Sequence, residues 1–298
     1  MPKHPTLPDR IEWPTVAVAV AIGGGLVALS ILHKGLPWPI LLGAFGVLGA
    51  WYNSLQHEVI HGHPTSWRKL NLTIAAVPLG LVVPFWMYRD SHLAHHRDEH
   101  LTDPLSDPES FYVTQETWDR TAAVRRWCLL ARRTLLGRMM LGPFVTAHRA
   151  ICALRRATPW RQLRFALGVI GVIAVVQASG MPIWIYVIGV GYVGQAISLL
   201  RSFVEHRAVA DGPPTAVIHV GRLWRLLFLN NTLHLTHHRA PHVAWFDLPA
   251  AHRALGLDDE AANGAGLYFG YTGIIRRYAV RPFCQPVHPG HDALRSEP

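Results

Sequence analysis

The sequence predicts an all-α integral membrane protein with four transmembrane helices, a re-entrant or interfacial segment, and a cytosolic cap rich in histidine. Three observations point there. Half of the 298 residues are hydrophobic and only 16% are charged, against roughly 25% in soluble globular domains. Four apolar stretches, residues 15–32, 36–55, 163–180 and 182–200, reach the roughly 17–25 residues that a helix needs to cross about 30 Å of hydrocarbon. Arginine is concentrated outside the two short connections between those stretches, the asymmetry expected of the cytoplasmic side of a membrane protein.

The first stretch imitates a secretory signal, because Ala17-Val18-Ala19 is a small-residue triplet of the kind found at cleavage sites. The triplet lies inside the apolar run rather than after it, and another apolar stretch follows closely, so a retained anchor is expected. The loop between the first two stretches carries one strong positive charge, Lys34, and the Gly180-Met181 turn carries none. Residues 97–161, by contrast, hold Arg120, Arg125, Arg126, Arg132, Arg133, Arg138, Arg149, Arg155 and Arg156, and the segment after Arg201 is also arginine-rich. That bias puts both termini and every histidine cluster on the cytoplasmic face.

A fifth apolar run, residues 72–88, contains Pro78 and Pro84. A full crossing there would separate His57 and His61 from His92, His95 and His96 by the thickness of the bilayer. A re-entrant or interfacial segment is therefore expected, its proline breaks buried against protein. Within residues 117–156, arginines alternate with Trp127, Leu129, Leu130, Met139 and Met140. That pattern suits helices on a membrane surface and equally an ordinary cytosolic helical segment. The cap is expected from residues 89–162 and 201–298, with the whole chain, 1–298, forming one domain without internal repeats.

The net charge of +9 comes almost wholly from arginine; lysine occurs only at Lys3, Lys34 and Lys69. No basic-aromatic array or zinc-finger spacing accompanies it, so no nucleic-acid partner is expected. Cys128, Cys152 and Cys284 form no C-x-x-C and leave an odd thiol, which argues against a disulfide framework.

Histidine is the unusual residue, with 19 in the chain. Three groups stand out: His57-Glu58-Val59-Ile60-His61, His92-Leu93-Ala94-His95-His96, and His234-Leu235-Thr236-His237-His238. A fourth piece is His206, in Arg201-Ser202-Phe203-Val204-Glu205-His206-Arg207. On a helix, residues three and four apart share a face. H-x-x-x-H thus points two imidazoles one way, and H-x-x-H-H aims its first histidine and at least one of the last two at a common point. Imidazole suits iron, zinc, copper or nickel and is neutral when bound. At this histidine content one H-x-x-H-H arises by chance on the order of a tenth of a time per chain; two, both at membrane borders, indicate metal binding. His63 faces away from His61, His100 lies in a polar run, and Pro241 breaks the register between His238 and His242. Lone histidines such as His219 and His252 are expected to be surface or core residues.

The three groups resemble the histidine boxes of the membrane fatty-acid desaturase superfamily, which includes desaturases, hydroxylases and carotenoid ketolases. The similarity runs from about His57 to Pro249 and extends to Asn230-Asn231, Pro241, Trp245 and Pro249 around the third box. It implies two iron ions held by His57, His61, His92, His95, His96, His234, His237 and His238. Acyl-CoA desaturases add a histidine from their fourth span, which here corresponds to His206. They carry an asparagine one turn earlier, where this chain has Ser202; Asn230 or Asn231 is the candidate substitute.

The resemblance further implies oxygen-dependent desaturation of a fatty-acyl or similar lipid-like chain, with hydroxylation or ketone formation as alternatives. It implies electrons from an external donor of the ferredoxin or cytochrome b5 type. His288-Pro289-Gly290 is similar to the haem motif of fused cytochrome b5 domains, but no haem domain is expected beside it. Two rival readings remain. His57-Glu58-Val59-Ile60-His61 is a literal H-E-x-x-H, the zinc-protease pattern with Glu58 as base, which leaves both H-x-x-H-H groups unexplained. A metal transporter or store would place polar ligands along an intramembrane conduit, whereas these gather at one face.

Overall fold

The computed structural model describes residues 8–290, and among these the chain is mostly helical. The termini themselves, whose cytoplasmic placement the charge bias suggests, lie outside the described residues. Helices α1 (Trp13–Leu32) and α2 (Trp38–Ile60) are joined through a single 3-10 turn, His33–Gly35. They run antiparallel, with Gly25 of α1 against Leu48 of α2. Pro14 and Pro39 sit in their first turns, where the missing N–H removes no helical hydrogen bond.

The expected re-entrant run is not one helix. It breaks into α3 (Arg68–Ala76), an irregular stretch with Pro78 and Pro84, and α4 (Phe85–His95). Side chains of α2 tie it down. The Tyr52 hydroxyl donates to Val77 O at 2.7 Å and the Gln56 amide to Ala75 O at 2.8 Å, satisfying carbonyls left over at the end of α3.

Three amphipathic pieces follow: α5 (Gln115–Asp119), α6 (Ala123–Ala131) and α7 (Leu135–Arg156). Then come α8 (Pro159–Ala178) and α9 (Ile183–Arg201), the latter with a π-helical stretch at Val187–Val193. Among the described residues, three helices are apolar enough by length and composition to cross a membrane: Trp13–Gly35, Pro159–Ala178 and Ile183–Arg201. The expected second span falls within α2, which is not among these three; the last turns of that helix carry Asn53, Gln56, His57 and Glu58.

Helices α2 and α9 cross at backbone contact. A Cβ on Gly49 would meet Val190 O at 2.7 Å, and one on Gly194 would lie 3.0 Å from Gly49 Cα. Small residues at such a crossing let helices pack closely where water supplies no driving force. An Asn53–Ser198 hydrogen bond of 2.9 Å adds a polar tie. Val18, Ile22, Leu41, Phe45, Ile185 and Val190 fill the space between α1, α2 and α9.

After α9 the chain builds a compact cap: β1 (Val217–His219), α10 (Arg222–Leu227), α11 (His234–Arg239), α12 (Leu248–Leu255), α13 (Asp258–Asn263), β2 (Leu267–Phe269) and α14 (Tyr271–Tyr278). The all-α expectation is corrected here, since β1 and β2 pair in parallel, Val217 opposite Leu267. The strands satisfy the backbone of a buried segment that runs beside the third histidine group, as Ile218 N also donates to Thr232 O at 2.8 Å. Phe203, Ile218 and Phe228 are essentially sealed from solvent in the cap core. Truncating Phe203 to alanine would cost about 3–5 kcal/mol, and it lies three residues before His206.

Candidate metal centre

Local spacing and long-range packing together sort the nine histidines into two groups. His57 and His61 end α2, four residues apart; His92 and His96 do the same at the end of α4. With His237 of α11 they form a buried five-histidine group. His234 and His238, also four apart on α11, meet His95 and His206 in a four-histidine group. Within each group one ligand atom from every residue lies within 4.8 Å of all the others. In both H-x-x-H-H motifs the first and last histidines share a group and the middle one crosses to the other. His95 and His96, though adjacent, have rings nearly perpendicular, at 87°.

Ring nitrogens face one another across both groups. In the first, His61 Nε2 lies 3.2 Å from His92 Nε2, and His237 Nε2 lies 3.1 Å from His96 Nε2. In the second, His206 Nε2 stands 2.8 Å from His234 Nε2 and 3.1 Å from His95 Nε2. Burial pushes His61, His96, His234, His237 and His238 below the ordinary histidine range, and neighbouring imidazoles push the same way. His206 falls to about 3 for the same reasons. These rings are therefore neutral, the form in which imidazole ligates a metal. Ring nitrogens gathered with no carboxylate between them fit one divalent transition-metal ion per group.

An outer layer orients the rings. His95 Nδ1 donates to Asp107 Oδ1 at 2.8 Å, with both side chains almost fully buried. Burial alone would lower His95, but the hydrogen bond and the charges of Glu109 and Asp107 outweigh it and raise it. His92 Nδ1 lies 3.2 Å from Glu109 Oε2. A carboxylate behind a ligating imidazole fixes its tautomer and raises its basicity.

Of the three polar candidates for a supporting role, Asn231 touches both groups: its Oδ1 lies 3.2 Å from His234 Nδ1 and its Nδ2 3.4 Å from His57 Nε2. Asn230, at positive φ, donates instead to Trp245 O. Ser202 lines the neighbouring cavity. Asp107 and Glu109 carry no sequence signal, since they lie in an irregular loop without periodicity.

The set-aside histidines stay out of both groups. His63 pairs with Glu12 at 2.6 Å, and His288 meets the Thr102 hydroxyl at 3.0 Å. His219 and His252 need correction, because they are not solitary: with Asp258 they form a third cluster of possible ligands. Glu58 accepts the Trp245 backbone N–H at 3.1 Å.

A cavity of about 510 Å³ opens beside the histidines, between α2, α4, α7 and α9. His92 of the five-histidine group and His206 and His234 of the other line it, as do Arg132, Arg138 and Arg149. Arg138 is buried over the rings of Phe111 and Phe203, 3.7 and 5.0 Å away. Burial, with Arg133 and Arg132 close by, lowers it to about 9. The buried Nε of Arg132 has no hydrogen-bond partner.

Helices apolar enough to cross a membrane stand beside two compact histidine groups that could each hold a metal ion. Residues 33–270 match the fatty acid desaturase family, and the chain belongs to that family. No curated protein matches it.

Proposed function

We propose that the chain is an oxygen-dependent di-iron desaturase acting on a fatty-acyl or similar lipid-like chain. One iron is held by His57, His61, His92, His96 and His237, the other by His95, His206, His234 and His238. The observation that carries this is the sorting of nine imidazoles, most of them buried, into two compact groups. When bound, the iron pair supplies oxygen activation and removal of hydrogen from an unactivated methylene.

The chain's own residues do the positioning. Asp107, Glu109 and Asn231 orient the rings, and the cavity brings a substrate carbon alongside both groups. Its apolar walls accept a hydrocarbon chain. The guanidinium groups of Arg132 and Arg138, neither facing a carboxylate among the described residues, favour a substrate with an anionic head, a carboxylate or phosphate. Hydroxylase or ketolase outcomes use the same site and differ in how the carbon is presented. Electrons come from an external ferredoxin or cytochrome b5 type donor.

The reading includes a four-span topology, with α2 as the second span. Helix α2 lies against α1 over much of its length, and Thr15 at the start of α1 hydrogen-bonds Trp245, whose N–H reaches Glu58 at the end of α2. Two antiparallel helices in such register cross the same thickness of bilayer. With the arginine bias, both histidine groups then lie at the cytoplasmic face, in a single domain.

The test is iron analysis of the purified chain together with mass spectrometry of lipids from expressing cells, beside a His61→Ala control. Two irons per chain and a product two mass units lighter support desaturation; a product sixteen heavier indicates hydroxylation. One zinc and no oxidised lipid would overturn the reading.

A further inference from the structure

Outside the two histidine groups, β1, α12 and α13 each deliver one ligand-bearing side chain to a common point. His219 ends β1, His252 lies on α12, and Asp258 opens α13. Asp258 Oδ1 lies 2.8 Å from His219 Nε2 and 3.0 Å from His252 Nε2. These gaps match the 2.8–3.2 Å between ring nitrogens in the two histidine groups. We propose that His219, His252 and Asp258 form a third metal site, taking one zinc-class divalent cation with water completing its shell.

The chemistry of the donors fits. Two imidazoles and a carboxylate are a common zinc set, with metal–ligand bonds near 2.0–2.2 Å. A tetrahedral ion would space the donors about 3.3 Å apart, so the cluster needs to open by only a few tenths of an ångström. Asp258 and His219 are free to move that far, because their side chains are 47% and 31% exposed. The same exposure gives an ion access.

The far side of the site is built as well. His252 Nδ1 lies 2.6 Å from the Thr236 hydroxyl, which is fully buried. With Nε2 on an ion, Nδ1 carries the ring proton and donates it to Thr236 Oγ1, the outer partner a ligating histidine requires. The Phe269 ring stacks against the other imidazole, its centroid 5.6 Å from that of His219. Thr236 belongs to α11, between His234 and His237. A cation here would therefore clamp three cap elements behind the third histidine box without touching the cavity.

The experiment uses the full chain, purified with its irons and equilibrated with micromolar zinc before free metal is removed. One zinc per chain beyond the irons is expected. His219→Gln and Asp258→Asn should abolish it while iron is retained, and Thr236→Val should weaken it about 10–100-fold. A wild-type chain that retains no zinc overturns the proposal, as does undiminished zinc in both ligand variants. Should a variant lose iron too, cobalt titrated into the iron-loaded wild type decides. A visible four-coordinate cobalt band supports the site, and its absence overturns it. Because iron and zinc are counted separately, failure here leaves the desaturase reading standing, and failure there leaves this one.

Discussion

The five-histidine and four-histidine groups are made of the same side chain but assembled differently. Four of the first group's five members are two helical pairs, His57 with His61 and His92 with His96, so local geometry does most of the work. The second group has one such pair, His234 with His238. It needs His95 from another helix and His206 from the segment after α9. It also leans on Asp107, buried behind His95. One group is fixed largely by helix periodicity, the other by packing, and the second is accordingly the more vulnerable to changes at a distance.

The largest expected effect tests whether the groups are equal partners. His61→Ala and His206→Ala should each abolish turnover and at least halve the iron content, the first by opening the five-histidine group and the second the other. Iron analysis beside a product assay reads both. Full iron and normal turnover in His206→Ala would reduce the four-histidine group to a structural cluster and break the symmetry of the two-iron reading.

How much of this could be read in the sequence follows from the same contrast. The helical pairs were legible because i and i+4 share a face, and all nine histidines were identifiable from spacing and family resemblance together. Which histidine joins which group was not, because that depends on how α2, α4 and α11 are oriented. The spans at α1, α8 and α9 were visible as apolar runs, and Pro78 and Pro84 marked where the fifth run breaks. The paired strands were not visible: each is three residues long, and their partners lie far apart in the chain. His219, His252 and Asp258 sit singly on three elements, so no period connects them.

A smaller effect is expected at Asp107. Asp107→Asn removes the charge behind His95 and should weaken iron binding about 10–100-fold at the four-histidine group alone. The iron-free chain adds a pH signature. Burial alone would raise Asp107, but the His95 N–H and the backbone N–H groups of Thr102 and Glu109 outweigh it and lower it. His95 is raised, as described. The Asp107 contribution is therefore present above the ordinary aspartate value of about 3.9 and lost as pH falls through its lowered value. The His95 contribution is complete below about 6.5 and lost as pH rises through its raised value. Melting curves should show wild type most stabilised over Asp107→Asn between those two values. A difference independent of pH would mean that Asp107 acts by packing rather than by charge.

The smallest effect is expected at Glu58, the carboxylate next in sequence to His57. Glu58 sits beside His57, but its Oε1 is 3.7 Å from Nδ1, beyond a hydrogen bond, while its Oε2 takes the Trp245 N–H. Its task is to hold the loop after the third box against the end of α2. Glutamine keeps an acceptor oxygen in the same place, so Glu58→Gln should hold both irons and change turnover by less than about tenfold, under about 1.4 kcal/mol. A zinc protease would lose its general base in that substitution and with it several orders of magnitude in rate. A collapse of activity in Glu58→Gln with metal content unchanged would therefore count against the two-iron oxidase, because Glu58 makes no hydrogen bond to a histidine of either group and does not line the cavity.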